Sequence, residues 1–265
     1  MNGMPKSGNY LLWSVFKNLL DRKSHFSSYK DSFANSQHCC YEGKIFDSHE
    51  FVDNVHLSSR GELIVKAPPK NQSVKNLEVF FKTASIIWTH DCFTEEHFEF
   101  WGRHIAEGAR YYLVRDPRAV YLSTAHHVVR PEYFQMFPEA RIKNVEEIFE
   151  REEFALKWSS RWRDHVRAYL EKPDWFNLIR YEDLVENKRS IVSQIASELA
   201  MFGLSFGTED IEKVCALTDF DLMKASSPTH LRKGKTKGWA FEIPAFTQKL
   251  IKTVAGPEMR ALGYI

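Results

Sequence analysis

Two short stretches of the sequence combine a cation with the start of a predicted helix, and both could bind an anion. The stretch PKSGNYL places Lys6 and Gly8 directly before an apolar helix pattern. Gly8 permits a turn that a side chain would obstruct, and the first N–H groups of a helix attract phosphate or sulfate. The stretch lacks the GxxxxGK[ST] pattern of a Walker A loop. The second stretch, RDPRAVYLS, places Arg115 at a strand end and Ser123 about two turns into the next helix, where both can bond one phosphate.

A third cationic stretch lies later in the chain. RKGKTKGW places Arg232 and Lys233 beside Gly234, after a segment that contains Phe220. An aromatic side chain can stack on a nucleotide base, and a basic loop with glycine can close on a phosphate. Taken alone, such a loop is also typical of a solvated basic turn.

A histidine ends another apolar strand pattern. The stretch IIWTHD places His90 at the polar end of that strand, 25 residues before Arg115. A neutral imidazole can take a proton from a hydroxyl group, with a pKa near ~6.5 if it is unperturbed. Asp91, Glu95 and His126 are alternative proton acceptors.

The elements around these residues alternate between strands and helices. The patterns predict strands at 62–70, 84–91, 109–117 and 175–184. They predict helices at 10–20, 94–108, 118–129, 145–171 and 191–204, with an irregular segment at 21–60. This alternation predicts an α/β fold, a single domain over residues 1–265 with a central parallel sheet flanked by helices. Ligands of such sheets bind at the carboxyl ends of the strands.

Composition and charge exclude several classes of function. A chain of 265 residues with 43% hydrophobic residues fits a globular protein. Its net charge of +1 gives no strong positive electrostatic potential that would attract nucleic acid. No run approaches the ~20 apolar residues of a membrane span, and we expect a cytoplasmic location. The spacing of Cys39, Cys40, Cys92 and Cys215 fits no standard zinc site, so we expect buried free thiols and no metal.

In chain order, these stretches resemble the sulfotransferases that use 3′-phosphoadenosine 5′-phosphosulfate (PAPS). PKSG resembles the 5′-phosphosulfate loop of that family, and RDPRAVYLS resembles its 3′-phosphate motif. RYEDL is similar to the segment whose tyrosine, here Tyr181, lines the nucleotide site. TDFDLM resembles the adenine-side segment, with Thr218 and Phe220 in the matching places, and RKG resembles the loop that closes on the 3′-phosphate. The resemblance runs from residue 5 to about residue 239, with gaps.

The resemblance implies a P-loop-like sulfotransferase fold and the transfer of a sulfuryl group from PAPS to a hydroxyl acceptor, without a metal. The implied acceptor is a small molecule, a lipid or a glycan, and the oligomeric state stays open. Lys6 would stabilise the leaving group and His90 would be the general base. The implied nucleotide-binding residues are Lys6, Ser7, Gly8, Asn9, Tyr10, Arg115, Ser123, Tyr181, Thr218, Phe220, Arg232, Lys233 and Gly234.

The sequence departs from the family pattern in the first loop and at the histidine. Asn9, Tyr10 and Leu11 stand where the family usually has Thr-Thr-Trp, and Trp88 replaces the lysine of Lys-Thr-His. Two alternatives therefore stay open: an ATP-dependent P-loop phosphotransferase, and a non-catalytic protein that binds 3′,5′-ADP (PAP) or an anionic glycan.

Overall fold

Short strands alternate with helices along the chain. The computed structural model describes residues 1–30, 40–41, 44–45, 52–66, 71–105, 108–131, 133, 142–226, 234 and 236–265. In this part of the chain the strands are β1 (Cys40–Tyr41), β2 (Lys44–Ile45), β3 (Asp53–Leu57), β4 (Leu63–Val65), β5 (Gln72–Ser73), β6 (Ile87–Thr89), β7 (Tyr111–Val114) and β8 (Asn177–Arg180). The first helices are α1 (Asn9–Arg22), α2 (Leu77–Thr83), α3 (Glu95–His104), α4 (Pro117–Val128), α5 (Val145–Phe149) and α6 (Glu152–Glu171). The later helices are α7 (Tyr181–Glu186), α8 (Lys188–Ala200), α9 (Thr208–Leu217), α10 (Phe220–Ser226), α11 (Trp239–Glu242) and α12 (Ala245–Ala261).

The first residues of the chain join the two halves of the main sheet. One half has the order β5-β4-β3-β6, and the other pairs β7 with β8. Asn2 forms parallel bridges to both Thr89 and Tyr112. Its N–H donates to the Tyr111 carbonyl at 2.8 Å, and its carbonyl accepts from the Leu113 N–H at 2.8 Å. The predicted parallel sheet is therefore confirmed around β3, β6, β7 and β8, while β4 and β5 extend it in the antiparallel direction.

Strand β7 explains why helices cover both faces of this sheet. Successive side chains of a strand point to opposite faces, and all four residues of β7 are buried. Tyr111 and Leu113 pack in the cluster that contains α1, where the rings of Phe16 and Tyr111 lie 4.8 Å apart. Tyr112 and Val114 pack in the cluster that contains α6 and α12. The α/β fold class is confirmed, and the single-domain organisation stays a prediction.

Strands β1, β2 and β3 lie in the segment 21–60 that is expected to be irregular, so that expectation is wrong at residues 40–41, 44–45 and 53–57. For β3 the reason is a buried carboxylate. Asp53 is 1% exposed and accepts the N–H groups of Tyr29 at 2.8 Å and Lys30 at 3.1 Å. These backbone N–H groups stabilise the buried carboxylate, so a polar residue can occupy a core position of β3. The sequence of β3 therefore lacks the alternation of apolar and polar residues by which a strand is recognised.

Two helical predictions also need correction. The helix expected at 145–171 divides into α5 and α6, because Arg151 has an extended backbone between them. Helix α12 was not predicted, since Gly256 and Pro257 interrupt its pattern. It nevertheless packs its buried residues against α6.

No helix among the described residues is both long and apolar enough to cross a membrane. The structure describes the side chains of two cysteines, Cys92 and Cys215, and both are free thiols. Cys92 is exposed and Cys215 is partly buried, so the expectation of buried thiols is wrong for Cys92.

Candidate functional site

Four of the predicted site residues follow the carboxyl ends of parallel strands. His90 follows β6, Arg115 follows β7 and Tyr181 follows β8. Lys6 comes shortly after Asn2, which lies between β6 and β7 in the sheet. Since parallel strands end at a common edge, the sheet brings these residues to one side of the molecule.

The loop before α1 is closed by its own backbone and by Asn9. The N–H of Ser7 donates to the Met4 carbonyl at 3.2 Å, and the Nδ2 of Asn9 donates to the same carbonyl at 2.9 Å. Lys6 and Gly8 adopt positive φ values of 71° and 99°. The side-chain donor of Asn9 is therefore used inside the loop. The Leu11 N–H already donates to the Gly8 carbonyl at 3.0 Å, so the backbone N–H groups of Gly8 and Asn9 are the donors that this turn can offer to an anion.

Gly8 and Tyr181 approach each other so closely that only glycine fits. A Cβ atom placed on Gly8 would lie 2.2 Å from the Cδ2 of Tyr181. The guanidinium carbon of Arg115 lies 4.0 Å from the centre of the Tyr181 ring, and its Nη1 donates to the Lys6 carbonyl at 3.2 Å. The loop, the RDP turn and RYEDL thus form one contact cluster.

Burial weakens the charge of Lys6. Burial and, to a smaller extent, the nearby charge of Arg130 lower the pKa of Lys6 to about 7. A cation held at this cost is stabilised when an anion arrives beside it. The electrostatics of the loop therefore favour a bound anion.

The side chain of His90 is held by the backbone carbonyl of Gly3, the residue after Asn2. Its Nδ1 donates to the Gly3 carbonyl at 2.5 Å, which leaves Nε2 with the lone pair of the neutral ring. Burial, with smaller contributions from the charges of Lys66 and His165, lowers the pKa of His90 to about 3, although the hydrogen bond to the Gly3 carbonyl acts in the opposite direction. The value near ~6.5 applies to an unperturbed histidine, and burial shifts the pKa of His90 away from it.

The alternative proton acceptors are engaged with other residues. Asp91 is 7% exposed and accepts from the Nδ1 of His56 at 2.6 Å. Glu95 forms an exposed ion pair with Lys172 at 2.6 Å. His126 faces Glu242, with 3.3 Å between its Nε2 and Oε2. These contacts favour His90 among the four candidates.

The two residues expected near the adenine, Thr218 and Phe220, differ in their surroundings. Thr218 is fully buried, and its Oγ1 donates to the Val214 carbonyl at 2.7 Å within its own helix. Phe220 packs against Gly234, where an added Cβ would lie 2.5 Å from the Cδ2 of the ring and where φ is +63°.

The residues expected at the 3′-phosphate are only partly described. Ser123 is partly buried on α4. Arg232 and Lys233 lie outside the described residues, so their roles stay predictions.

The other loop side chains turn inward. Ser7 is fully buried, and its Oγ has no hydrogen-bond partner among the described residues. Tyr10 stacks on Trp13, with 5.8 Å between the ring centroids and an interplanar angle of 17°. The nucleotide-binding roles of Ser7 and Tyr10 stay predictions.

Sequence reasoning missed three residues that support this cluster. The carbonyl of Gly3 holds His90, and the indole N–H of Trp162 donates to the Arg115 carbonyl at 3.0 Å. Glu182 accepts the N–H of Asp116 through its Oε1 at 3.1 Å. Glu182 lies inside the RYEDL segment, so that motif could have identified it. The contact of Gly3 with His90 becomes visible only when the pairing of the strands is known.

A cavity of about 500 Å³ lies beside Gly234. Its lining residues are Val185, Glu186, Gly234, Thr236, Lys237, Gly238, Phe241 and Glu242. Among the residues that the structure describes, Gly234 is the one that the cavity shares with the predicted nucleotide set. Within the described ranges, no group of three or more His, Cys, Asp or Glu side chains could hold a metal ion.

Comparison with known families gives a match over more than half of the chain. The matching family model is described as "Sulfotransferase domain" and covers residues 110–260. This segment includes Arg115, Ser123 and Tyr181, while Lys6 and His90 precede it.

Individual proteins are similar over different extents. A zebrafish (Danio rerio) protein described as "Cytosolic sulfotransferase 1" is 36% identical over 95 residues, which cover 29% of this chain and 31% of that protein. The chain thus spans about a third of the length of this curated relative. The crystal structure of mouse sulfotransferase SULT7A1 complexed with PAP superposes with a TM-score of 0.61 at 16% identity. That superposition covers 98% of this chain and 82% of the mouse chain, and it supports the fold alone.

Proposed function

This chain belongs to the sulfotransferase domain family, and from that premise we propose that it transfers a sulfuryl group from PAPS to a hydroxyl acceptor. The observation that carries the proposal is the contact cluster of Lys6, Gly8, Arg115 and Tyr181 at the carboxyl edge of the sheet. It joins a strand-end arginine to an anion-binding turn. This combination suits a nucleotide with phosphate groups at two positions.

The residues present fit such a donor. Gly8 has no side chain, so the Tyr181 ring can pack against the turn, and the backbone N–H groups at the start of α1 would bind a phosphate. Arg115 and Ser123 would bind the 3′-phosphate, with Arg232, Lys233 and Gly234 closing over it. Tyr181 and Phe220 would contact the nucleoside. Thr218 would act through its backbone, because its hydroxyl is bonded within its own helix.

PAPS, when bound, supplies the sulfuryl group and a 5′-phosphate as the leaving group. Lys6 would neutralise negative charge that grows on the leaving oxygens, and this interaction strengthens in the transition state. The lowered pKa of Lys6, about 7, favours this role because an approaching anion restores its charge. The chain's main contribution would be to position groups and to neutralise charge.

His90 would take the proton of the acceptor hydroxyl on its Nε2. The hydrogen bond from Nδ1 to the Gly3 carbonyl supports this assignment, because it sets the tautomer and aims the ring. The lowered pKa, about 3, keeps the imidazole neutral over the whole physiological range. A neutral ring is ready to accept a proton, although its basicity in the unliganded protein is low.

The acceptor is proposed only as a class: a hydroxyl group on a small molecule, a lipid or a glycan. A cytoplasmic location is proposed on the similarity to a relative described as cytosolic. No metal is assigned a role in the proposed reaction.

Two measurements test the proposal and separate it from its alternatives. The first compares thermal stabilisation by PAP and by ADP at equal concentration. A ligand at ~100 times its dissociation constant adds roughly 2.7 kcal/mol of stability. We expect PAP to raise the melting temperature by several degrees and ADP by much less; equal shifts would favour an ATP-type site.

The second measurement follows labelled PAPS in the presence of sugar, lipid and phenolic hydroxyl compounds. Transfer of label to one of these classes supports the enzyme. Tight PAP binding without transfer to any acceptor would favour the non-catalytic binding protein.

A further inference from the structure

Residues after helix α12 contact the turn that carries Arg115. The hydroxyl of Tyr264 donates to the Oε2 of Glu182 at 3.1 Å, while the Oε1 of Glu182 accepts the Asp116 N–H at 3.1 Å. One carboxylate therefore bridges Tyr264 and the backbone of the residue next to Arg115. Burial raises the pKa of Glu182, and the two donors act against that rise by stabilising its ionised form.

Tyr264 also reaches the same turn through Arg118. The Nη2 of Arg118 donates to the Tyr264 carbonyl at 3.0 Å and to the Oδ2 of Asp116 at 2.6 Å. The guanidinium of Arg118 lies 3.6 Å from the centre of the Trp239 ring, at the start of α11. The contacts of Tyr264 thus extend from the RDP turn to the helix that follows the third cationic stretch.

The ring of Tyr264 is itself held in place. The guanidinium carbon of Arg180, the last residue of β8, lies 4.5 Å from its centre. The Nη1 of Arg180 also donates to the Leu262 carbonyl. A ring fixed in this way can hold its hydroxyl at a constant position relative to the sheet.

We propose that Tyr264 is a positioning residue for the predicted 3′-phosphate site and that it acts through Glu182 on the turn bearing Arg115. This inference rests on the proposed function. A fixed turn holds the Arg115 guanidinium in the geometry that binds a phosphate with two hydrogen bonds. A merely structural role of Tyr264 would affect all nucleotides alike, whereas the positioning role concerns those with a 3′-phosphate.

The test measures dissociation constants for PAP and for AMP, which lacks the 3′-phosphate, by isothermal titration calorimetry. Tyr264→Phe removes the hydroxyl and keeps the ring and the carbonyl contact with Arg118. We expect PAP binding to weaken about 5- to 10-fold, the scale of one ordinary intramolecular hydrogen bond, with AMP binding almost unchanged. Equal weakening of both nucleotides, or of neither, would overturn the proposal.

Tyr121→Phe is the matched control. Tyr121 is 2% exposed, lies on the helix that carries Ser123 and donates its hydroxyl to the Ile148 carbonyl at 3.3 Å. It has no contact with Glu182 among the described residues. Its loss should leave the ratio of the two dissociation constants unchanged.

Glu182→Gln supplies an independent arm. It removes the charge that accepts the Tyr264 hydroxyl, so it should lower the same selectivity. Tyr264→Phe added to Glu182→Gln should then have little further effect, because both changes break one bridge. Full additivity would contradict the proposed route.

The two arms also separate this inference from the proposed function. If Tyr264→Phe fails to fold, the selectivity of Glu182→Gln decides alone: a lowered PAP preference supports the bridge, and an unchanged one overturns it. If the wild-type chain binds PAP and AMP equally, the proposed function fails and this inference with it.

Discussion

Arg115 and Tyr181 end neighbouring parallel strands and contact each other, with the guanidinium carbon 4.0 Å from the centre of the tyrosine ring. The Tyr181 ring packs against the guanidinium, and the Lys6 carbonyl accepts one of its N–H groups at 3.2 Å. An arginine fixed in this way loses little side-chain entropy when it binds a phosphate. The contact therefore prepares the arginine for an anion before the anion arrives.

Replacing Arg115 with lysine should separate charge from geometry. Lysine keeps the positive charge but loses the planar fork and the contact with Tyr181. We expect PAP to bind about 10- to 100-fold more weakly and AMP to bind nearly as before, because bidentate recognition is lost. Calorimetry with both nucleotides measures this, and Arg163→Lys, at an exposed pair with Asp164, is the control. An equal loss for AMP would mean that Arg115 does not contact the 3′-phosphate.

Gly8→Ala should destabilise the protein and disrupt nucleotide binding. The added Cβ would meet Tyr181 at 2.2 Å in a backbone with φ of +99°. Left-handed backbone strain and the clash together should cost about 2–5 kcal/mol of unfolding free energy. Denaturant unfolding measures this cost.

Gly61→Ala is the control for the backbone term. Gly61 also has a positive φ, +75°, but nothing lies within 4 Å of an added Cβ. It should cost only the strain, about 1–2 kcal/mol, and leave PAP binding intact. If the two substitutions cost the same, the approach of Tyr181 to Gly8 does not constrain the loop.

The alternation of strands and helices was predictable because apolar periodicity and strong turn residues coincide there. Strand β7 is four consecutive buried residues, and α1 follows Gly8 at once. The order of the sheet was not predictable. The pairing of Asn2 with both Thr89 and Tyr112 depends on contacts between residues distant in sequence.

The location of four candidate site residues was predictable because each follows a strand or an early segment of the sheet, whereas their functional roles stay predictions. Lys6, His90, Arg115 and Tyr181 come to one sheet edge as parallel strands require. The pKa values were not predictable, since they follow from burial: about 7 for Lys6 and about 3 for His90. The bridging role of Glu182 was hidden for a similar reason, because its partner Tyr264 lies 82 residues away.

Binding of PAP should be coupled to uptake of a proton by Lys6. Burial lowers its pKa to about 7 in the unliganded protein, and an adjacent anion raises it. At pH 8 most of the unliganded lysine is neutral and the bound form is charged. Affinity should therefore fall as pH rises above 7, by up to about tenfold per unit. Calorimetry at pH 8 in two buffers of different ionisation enthalpy counts the protons.

The matching variant is Lys6→Met, which keeps the length of the side chain without its charge. Proton uptake at pH 8 should disappear in this variant and turnover should fall about 10²-fold or more, as for the loss of one transition-state donor. Proton uptake that persists unchanged in Lys6→Met would assign the titration to another group.

The role of His90 predicts a flat pH profile on the acid side. Burial lowers its pKa to about 3, so the ring stays neutral and able to accept a proton as pH falls from 8 to 5. Turnover over this range should therefore show no fall with a midpoint near ~6.5, the value of an exposed histidine. As pH falls below ~6.5, the unfolded state binds protons that His90 and His165 do not take up in the folded protein, because burial lowers their pKa values to about 3 and about 4. Stability should therefore decrease from that pH downwards, so turnover is measured at a temperature well below the melting temperature at each pH.

His90→Asn tests the same role directly. Asparagine can keep a hydrogen bond to the Gly3 carbonyl but cannot take the proton, so turnover should fall about 10²- to 10⁴-fold while PAP binding stays within about twofold. His25→Asn, at an exposed position, controls for loss of a histidine elsewhere. Retained turnover in His90→Asn would make His90 structural and move the search to Asp91, Glu95 and His126. Lost turnover together with lost PAP binding points to misfolding, which the unfolding midpoint of the same preparation identifies. Retained binding with lost turnover is the result that assigns the proton transfer to His90.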